Sequence, residues 1–267
     1  MSSARTVALL AADAVRDGVR NRVGLFALAF AVCVGLFADR CTSFDAGTVL
    51  LNGREFDVHE GARLMGPFVF GSCALLLVLV AGFVACDALA RPLSEGTANL
   101  WLSRPVGRAS YALSRLAGAL GLSLAAGAAV LLVVAVLLHM RLGLDPWPAI
   151  AGVAVFAADA WVVAAVAMTL ALHLPRVVAL GAVVLSLQMI VFTNGIHTVA
   201  SVSGGLLGGI ERYGPPLGTA LIYALAPWFS DGVSAADWLS VAARLVAWGA
   251  GSTALLVLLF RRIDLPG

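Results

Sequence analysis

The sequence predicts an all-α integral membrane fold of six transmembrane helices, on three observations. The 267 residues are 61% hydrophobic and only 12% charged, with a mean hydropathy of +0.99. That leaves too little charge to coat a soluble domain of this size. Several apolar runs approach or exceed the ~18–20 residues that cross a bilayer. Backbone groups in lipid must be satisfied within the spanning segment, which selects helices. The arginines, finally, are unevenly shared between the loops on alternate sides of those runs. We treat residues 1–267 as one transmembrane domain.

The first 22 residues hold no long apolar stretch and no small-residue cleavage site, so no signal peptide is expected. Instead Asp13, Arg16, Asp17 and Arg20 form one helical stripe, with Val7, Leu10, Ala11, Ala14 and Val15 on the other side. Residues 4–22 therefore predict an amphipathic helix in the membrane interface, either an anchor or an elbow packed on the next helices. The first span is expected over 23–38, followed by an outer loop over 39–63. Asn52-Gly53 between two β-prone runs predicts a hairpin there, since both central residues of a type I′ turn need φ > 0. The second span is expected over 64–86.

The third span is expected over 116–138, where Gly118, Gly121, Ala125 and Ala129 permit close helix approach. A link over 139–148 leads to a fourth span over 149–172. A tight turn over 173–176 leads to a fifth over 177–192. The segment 193–240 is too rich in Gly and Pro for a plain span. Its apolar piece LGTALIYALAPWF reads as a re-entrant or interfacial helix pair. Trp228 and Trp238 suit the interfacial belt. The sixth span is expected over 241–260, closed by Arg261 and Arg262.

An even number of spans puts both termini on one side. With that side cytoplasmic, its segments carry eleven arginines against five or six outside, the bias expected of an inner face. Both termini and the stretch over 87–115 are thus expected in the cytoplasm, and 193–240 outside.

Few residues suggest chemistry. There is no HExxH, no GxSxG and no phosphate-binding loop, so the chain is not expected to hydrolyse ATP itself. Asp159 is the one acid near the middle of a span, and such carboxylates are costly and often functional. It serves a pathway role or a helix–helix hydrogen bond. Gln188 and Asn194 are milder intramembrane polar points. Cys41, His59, His139 and His197 are scattered without ligand spacing, so no metal site is expected. Cys33, Cys73 and Cys86 lie in apolar runs, and no disulfide framework is expected.

The stretch over 87–115, DALARPLSEGTANLWLSRPVGRASYALSR, has the most physical content. Leu93, Thr97, Leu100 and Trp101 share a helical face. Pro92 suits a first turn, Glu95 lies near its positive end, and Pro105 pushes Arg104 out of the helical region. The expectation is a short helix held between two spans, either transmitting motion or lying on headgroups.

SEGTANLWLSRPVGRASYALSR resembles the cytoplasmic coupling segment of ABC-2-type transporter permeases. The pattern falls on Glu95, Gly96, Thr97, Ser103, Arg104, Pro105, Val106 and Arg108. Arg115 stands where that family commonly has Lys, a change that keeps the charge. The topology agrees over nearly the whole chain, and the nearest subgroup is that of the nitrous oxide reductase maturation permease. The resemblance implies a non-catalytic membrane subunit of an exporter in the cell membrane, acting as a homodimer. Separate cytosolic ABC ATPases, which bind the ATP and Mg, would dock through Glu95, Gly96, Thr97, Trp101, Arg104, Pro105 and Arg108. The chain itself would need no cofactor; its partners would be the ATPases, a second permease copy and lipid, with no nucleic acid. The alternatives are a membrane anchor recruiting a cytoplasmic complex, and an intramembrane enzyme using Asp159.

Overall fold

Long helices dominate because their sequences are apolar enough to leave backbone hydrogen bonding as the main constraint. The computed structural model describes residues 9–13, 15–16, 29, 32–33, 35–36, 49–51, 54–56, 58–98, 107–175, 177–185, 213–230 and 232–262. Strands β1 (Val49–Leu51) and β2 (Arg54–Phe56) precede helices α1 (Val58–Ser94), α2 (Arg108–Leu142), α3 (Pro146–Ala171), α4 (Leu217–Leu225) and α5 (Ala235–Arg262). A further helical stretch occupies 177–185. Among the described residues, four helices are long and apolar enough to cross a membrane: the Met65–Ser94 part of α1, α2, α3 and α5.

The expected hairpin is present. β1 and β2 pair antiparallel with Val49 opposite Phe56 and Leu51 opposite Arg54, which brackets the Asn-Gly dipeptide. The turn residues themselves lie outside the described residues. So do most of the first span, the end of the fifth, and the 193–212 part of the later insertion. Residues 9–13 and 15–16 are helical, with Leu10 buried and Leu9 and Arg16 exposed.

Helix ends depart from the expected limits in a consistent direction. α1 starts before residue 64 and runs through Pro92 to Ser94. Pro92 was expected in the first turn of a separate short helix; it stands in the last turn of α1 instead. A proline there removes one hydrogen bond but leaves the remaining helix intact. α2 starts at Arg108 rather than 116, and α5 at Ala235 rather than 241. Polar residues thus extend each helix past its apolar run, because helices continue into water until a stop signal intervenes.

Those signals are local. Gly143, at φ +64°, ends α2 and returns its N–H to the His139 carbonyl, the conformation glycine adopts without a Cβ clash. His139 Nδ1 donates to Leu144 O at 2.9 Å. Asp145 then caps α3, accepting from Trp147 N at 3.1 Å with Pro146 in the first turn. The expected link over 139–148 is therefore only three residues, which makes α2 and α3 antiparallel neighbours.

The remaining directions follow from contacts. Gly152 of α3 faces Phe70 of α1, and Gly82 faces Val163 about three turns further along, so α1 and α3 run parallel. Gly249 of α5 faces Trp161, and Arg108 meets Arg261, so α5 runs with them. One end of the bundle gathers the C-termini of α1, α3 and α5 with the start of α2. We call it the Ser94 end, and the other the Asp145 end. α1 and α3 are the inner pair: 56% of the apolar window of each is buried, against 28% for α2 and α5.

The short apolar piece after Pro216 forms α4 and one 3-10 turn, Ala226–Trp228. It packs on α1 and α3 near the Asp145 end. Trp228 was expected in an interfacial belt, but it is buried. Its Nε1 donates to Asp145 O at 2.8 Å and its ring meets Phe70 edge-on. The indole has a buried partner available, so it packs inward. Trp238 is half-buried against Tyr223.

Candidate functional site

The buried apolar residues form two clusters. The larger fills the middle and the Asp145 end. The smaller gathers Leu89, Ala98, Tyr111, Leu116, Met168, Leu256 and Phe260, among others, at the Ser94 end. The described parts of the predicted 87–115 stretch, 87–98 and 107–115, contribute Leu89, Ala98, Tyr111 and Ala112 to this second cluster.

Its first arm is the end of α1. Arg91 Nε and Glu95 Oε1 form an exposed ion pair at 2.7 Å, one turn apart. Ser94 Oγ and Glu95 N both donate to Arg91 O, while Gly96 N donates to Leu93 O. The last carbonyls of α1 are satisfied in this way. Gly96 then takes φ +72°, a left-handed conformation that breaks the helix and turns the chain. Thr97 Oγ1 reaches back to Pro92 O at 3.4 Å, and Ala98 is buried. The turn is thereby pinned on both sides of Gly96, and Glu95 is presented to solvent.

The second arm is the start of α2. Gly107 is extended and accepts from Tyr111 N. Tyr111 is fully buried, stacked on Phe260 of α5 at 5.9 Å and 21°, with the Arg115 guanidinium 5.3 Å from its ring centroid. Ser114 Oγ donates to Tyr111 O. Arg108 Nη1 donates to Arg261 O at 3.1 Å.

Of the predicted docking residues, Glu95, Gly96, Thr97 and Arg108 thus lie at one end of the bundle. Trp101, Arg104 and Pro105 lie outside the described residues. Tyr111, Arg115 and Phe260 were not singled out as a group from the sequence. The i, i+4 spacing of Tyr111 and Arg115 was the available signal, but nothing local points to Phe260, which arrives from the other end of the chain.

Asp159 is placed elsewhere. It is 1% exposed on the inner face of α3, and its Oδ1 has no hydrogen-bond partner. Phe156 packs on Gly127 of α2. Since α2 and α3 are antiparallel, one turn along from that contact Ser123 stands at the same level as Asp159. Ser123 Oγ is also buried without a partner. Gln188 and Asn194 lie outside the described residues. Among the described residues no group of three or more His, Cys, Asp or Glu could hold a metal ion. Cys73 and Cys86 are buried and Cys33 is exposed, and none of the three is in a disulfide.

Four helices able to cross a bilayer, packed into one bundle with a pinned polar turn at one end, define a helical membrane protein. No protein-family model matches the chain, and no curated protein matches it.

Proposed function

We propose that this protein is the membrane-spanning permease subunit of an ATP-driven exporter of the ABC-2 type, energised by separate cytosolic ATPases that dock at the Ser94 end. The observation that carries this reading is the pinned turn at Glu95-Gly96-Thr97. Glu95, Gly96, Thr97 and Arg108, the described residues of the stretch that resembles a coupling segment, border an end cluster that joins α1, α2, α3 and α5. A push on the turn reaches four helices without passing through a loose linker.

Charge supports the orientation. The described residues of the Ser94 end include Arg91, Arg108, Arg115, Arg261 and Arg262 against Asp87 and Glu95. The Asp145 end balances Arg141 and Arg244 with Asp145 and Asp237. The arginine-rich end is the one expected to face the cytoplasm, where an ATPase could reach it. Export, pairing of two copies, and a pathway role for Asp159 belong to the same proposal.

Co-expression with an adjacently encoded ATPase tests it. A stoichiometric complex that weakens on Glu95→Ala supports docking at this turn. A folded permease that captures no ATPase contradicts the reading and favours an anchor for another cytoplasmic complex.

A further inference from the structure

We propose that the bundle carries a resident anionic phospholipid, one acyl chain lying in a groove between α3 and α5 and its phosphate on the arginines of the Ser94 end. The groove has a volume of about 480 Å³ and is lined by Val166, Leu170, Ala247, Trp248, Gly251 and Leu255, among others. That is the size of a ligand site, and its walls are apolar. Gly251 contributes the open floor: a Cβ added there meets nothing within 4 Å.

What distinguishes this groove from ordinary lipid-facing surface is its head. On α5, Trp248, Leu255 and Arg262 are spaced by seven residues and so share one face. Just past the end of α3, His173 follows Thr169 and Leu170 of the groove wall by one turn, and is exposed. Arg261 is adjacent and exposed, and its carbonyl draws in the Arg108 guanidinium at 3.1 Å. The face of α5 that lines the groove therefore leads toward Arg262, at the end of the bundle where Arg261 and Arg108 also lie. The lined stretch from Trp248 to Leu255 covers about 10 Å along the axis, and Arg262 lies about 10 Å beyond it, against about 15 Å for the hydrocarbon half of a bilayer. An apolar slot that points toward a guanidinium at the arginine-bearing end fits an amphiphile with an anionic head.

A second copy of the chain fits less well. Close pairing of two parallel α5 faces about a two-fold axis would bring Arg262 of each copy together at one end, and like charges in proximity oppose association. A soluble anion would use the arginines but leave the groove empty.

Native mass spectrometry and thermal melting of the purified full chain test the assignment. Dioleoyl phosphatidylglycerol, dioleoyl phosphatidylcholine and inorganic phosphate serve as the probes. One phosphatidylglycerol per chain is expected to survive gentle activation, at least tenfold more occupied than phosphatidylcholine, and to raise the melting temperature. Arg262→Gln is expected to abolish the preference between the two lipids. Gly251→Leu fills the groove and is expected to remove both. Gly121→Leu, on an open face of α2, serves as the control that retains the lipid. Equal occupancy by the two lipids in the unaltered protein, or undiminished phosphatidylglycerol in Gly251→Leu, would overturn the proposal. So would a melting shift reproduced by inorganic phosphate alone, or a dimer that Gly251→Leu disrupts with no lipid bound.

Discussion

Arg108, the first residue of α2, donates from Nη1 to the backbone carbonyl of Arg261 in the last turn of α5, at 3.1 Å. One turn inward, Tyr111 stacks on Phe260. These two contacts join chain segments about 150 residues apart, at the end of the bundle where the polar turn projects. The cationic side chain also complements the negative end of the α5 dipole.

Phe260→Ala is expected to destabilise the bundle by about 2–4 kcal/mol, since it removes a fully buried ring and leaves Tyr111 unsupported. Arg108→Gln should cost about 1 kcal/mol or less, because the group is exposed and screened. Unfolding of the purified protein in mixed detergent measures both.

Two glycines on α5 separate its packed face from its open one. A Cβ at Gly249 would stand 2.7 Å from the Trp161 ring, whereas one at Gly251 meets nothing within 4 Å. Gly249→Ala should cost about 1–3 kcal/mol through overpacking. Gly251→Ala should be neutral or stabilise by up to about 1 kcal/mol through helix propensity. Melting temperatures of the two single variants check the contrast.

Asp159 is buried in a membrane-spanning helix with Oδ1 unpartnered. Replacing it by an apolar side chain of similar bulk should remove that penalty. Asp159→Leu is expected to raise stability by about 1–3 kcal/mol. A loss of stability would instead mean that the carboxyl holds the helices together.

Four of the six expected spans are met among the described residues, because hydropathy over twenty residues is a strong signal: α1, α2 and α5 contain the run expected of them and α3 matches its run to within one residue. Their ends were not, because polarity alone does not stop a helix. Pro92 was read as a beginning, whereas Gly96 one turn later is the residue whose backbone breaks α1. Trp228 was misplaced for a different reason. Its burial depends on the Asp145 carbonyl, 83 residues away, and no local pattern encodes that meeting. Glu95, Gly96, Thr97 and Arg108 stood out by resemblance and by charge, while the Tyr111–Phe260 stack near them is a product of tertiary packing.

Gly96 holds φ +72°, and a Cβ there meets none of the described residues within 4 Å, so among them a side chain strains only the backbone. Gly96→Ala should cost about 1–2 kcal/mol locally and redirect the chain after Glu95. Limited proteolysis is expected to cut Gly96→Ala near this turn faster than the unaltered protein.

If the turn at Glu95 receives an ATPase as proposed, a cytosolic ABC ATPase co-expressed with the protein should co-purify with it in mild detergent, and less so with Glu95→Ala. The Arg91–Glu95 pair is exposed and worth only about 0.5 kcal/mol to folding, so Glu95→Ala should leave the fold intact. A stoichiometric complex that falls at least several-fold in the variant is expected. A folded protein that captures no ATPase, or a complex indifferent to Glu95, would contradict the proposal.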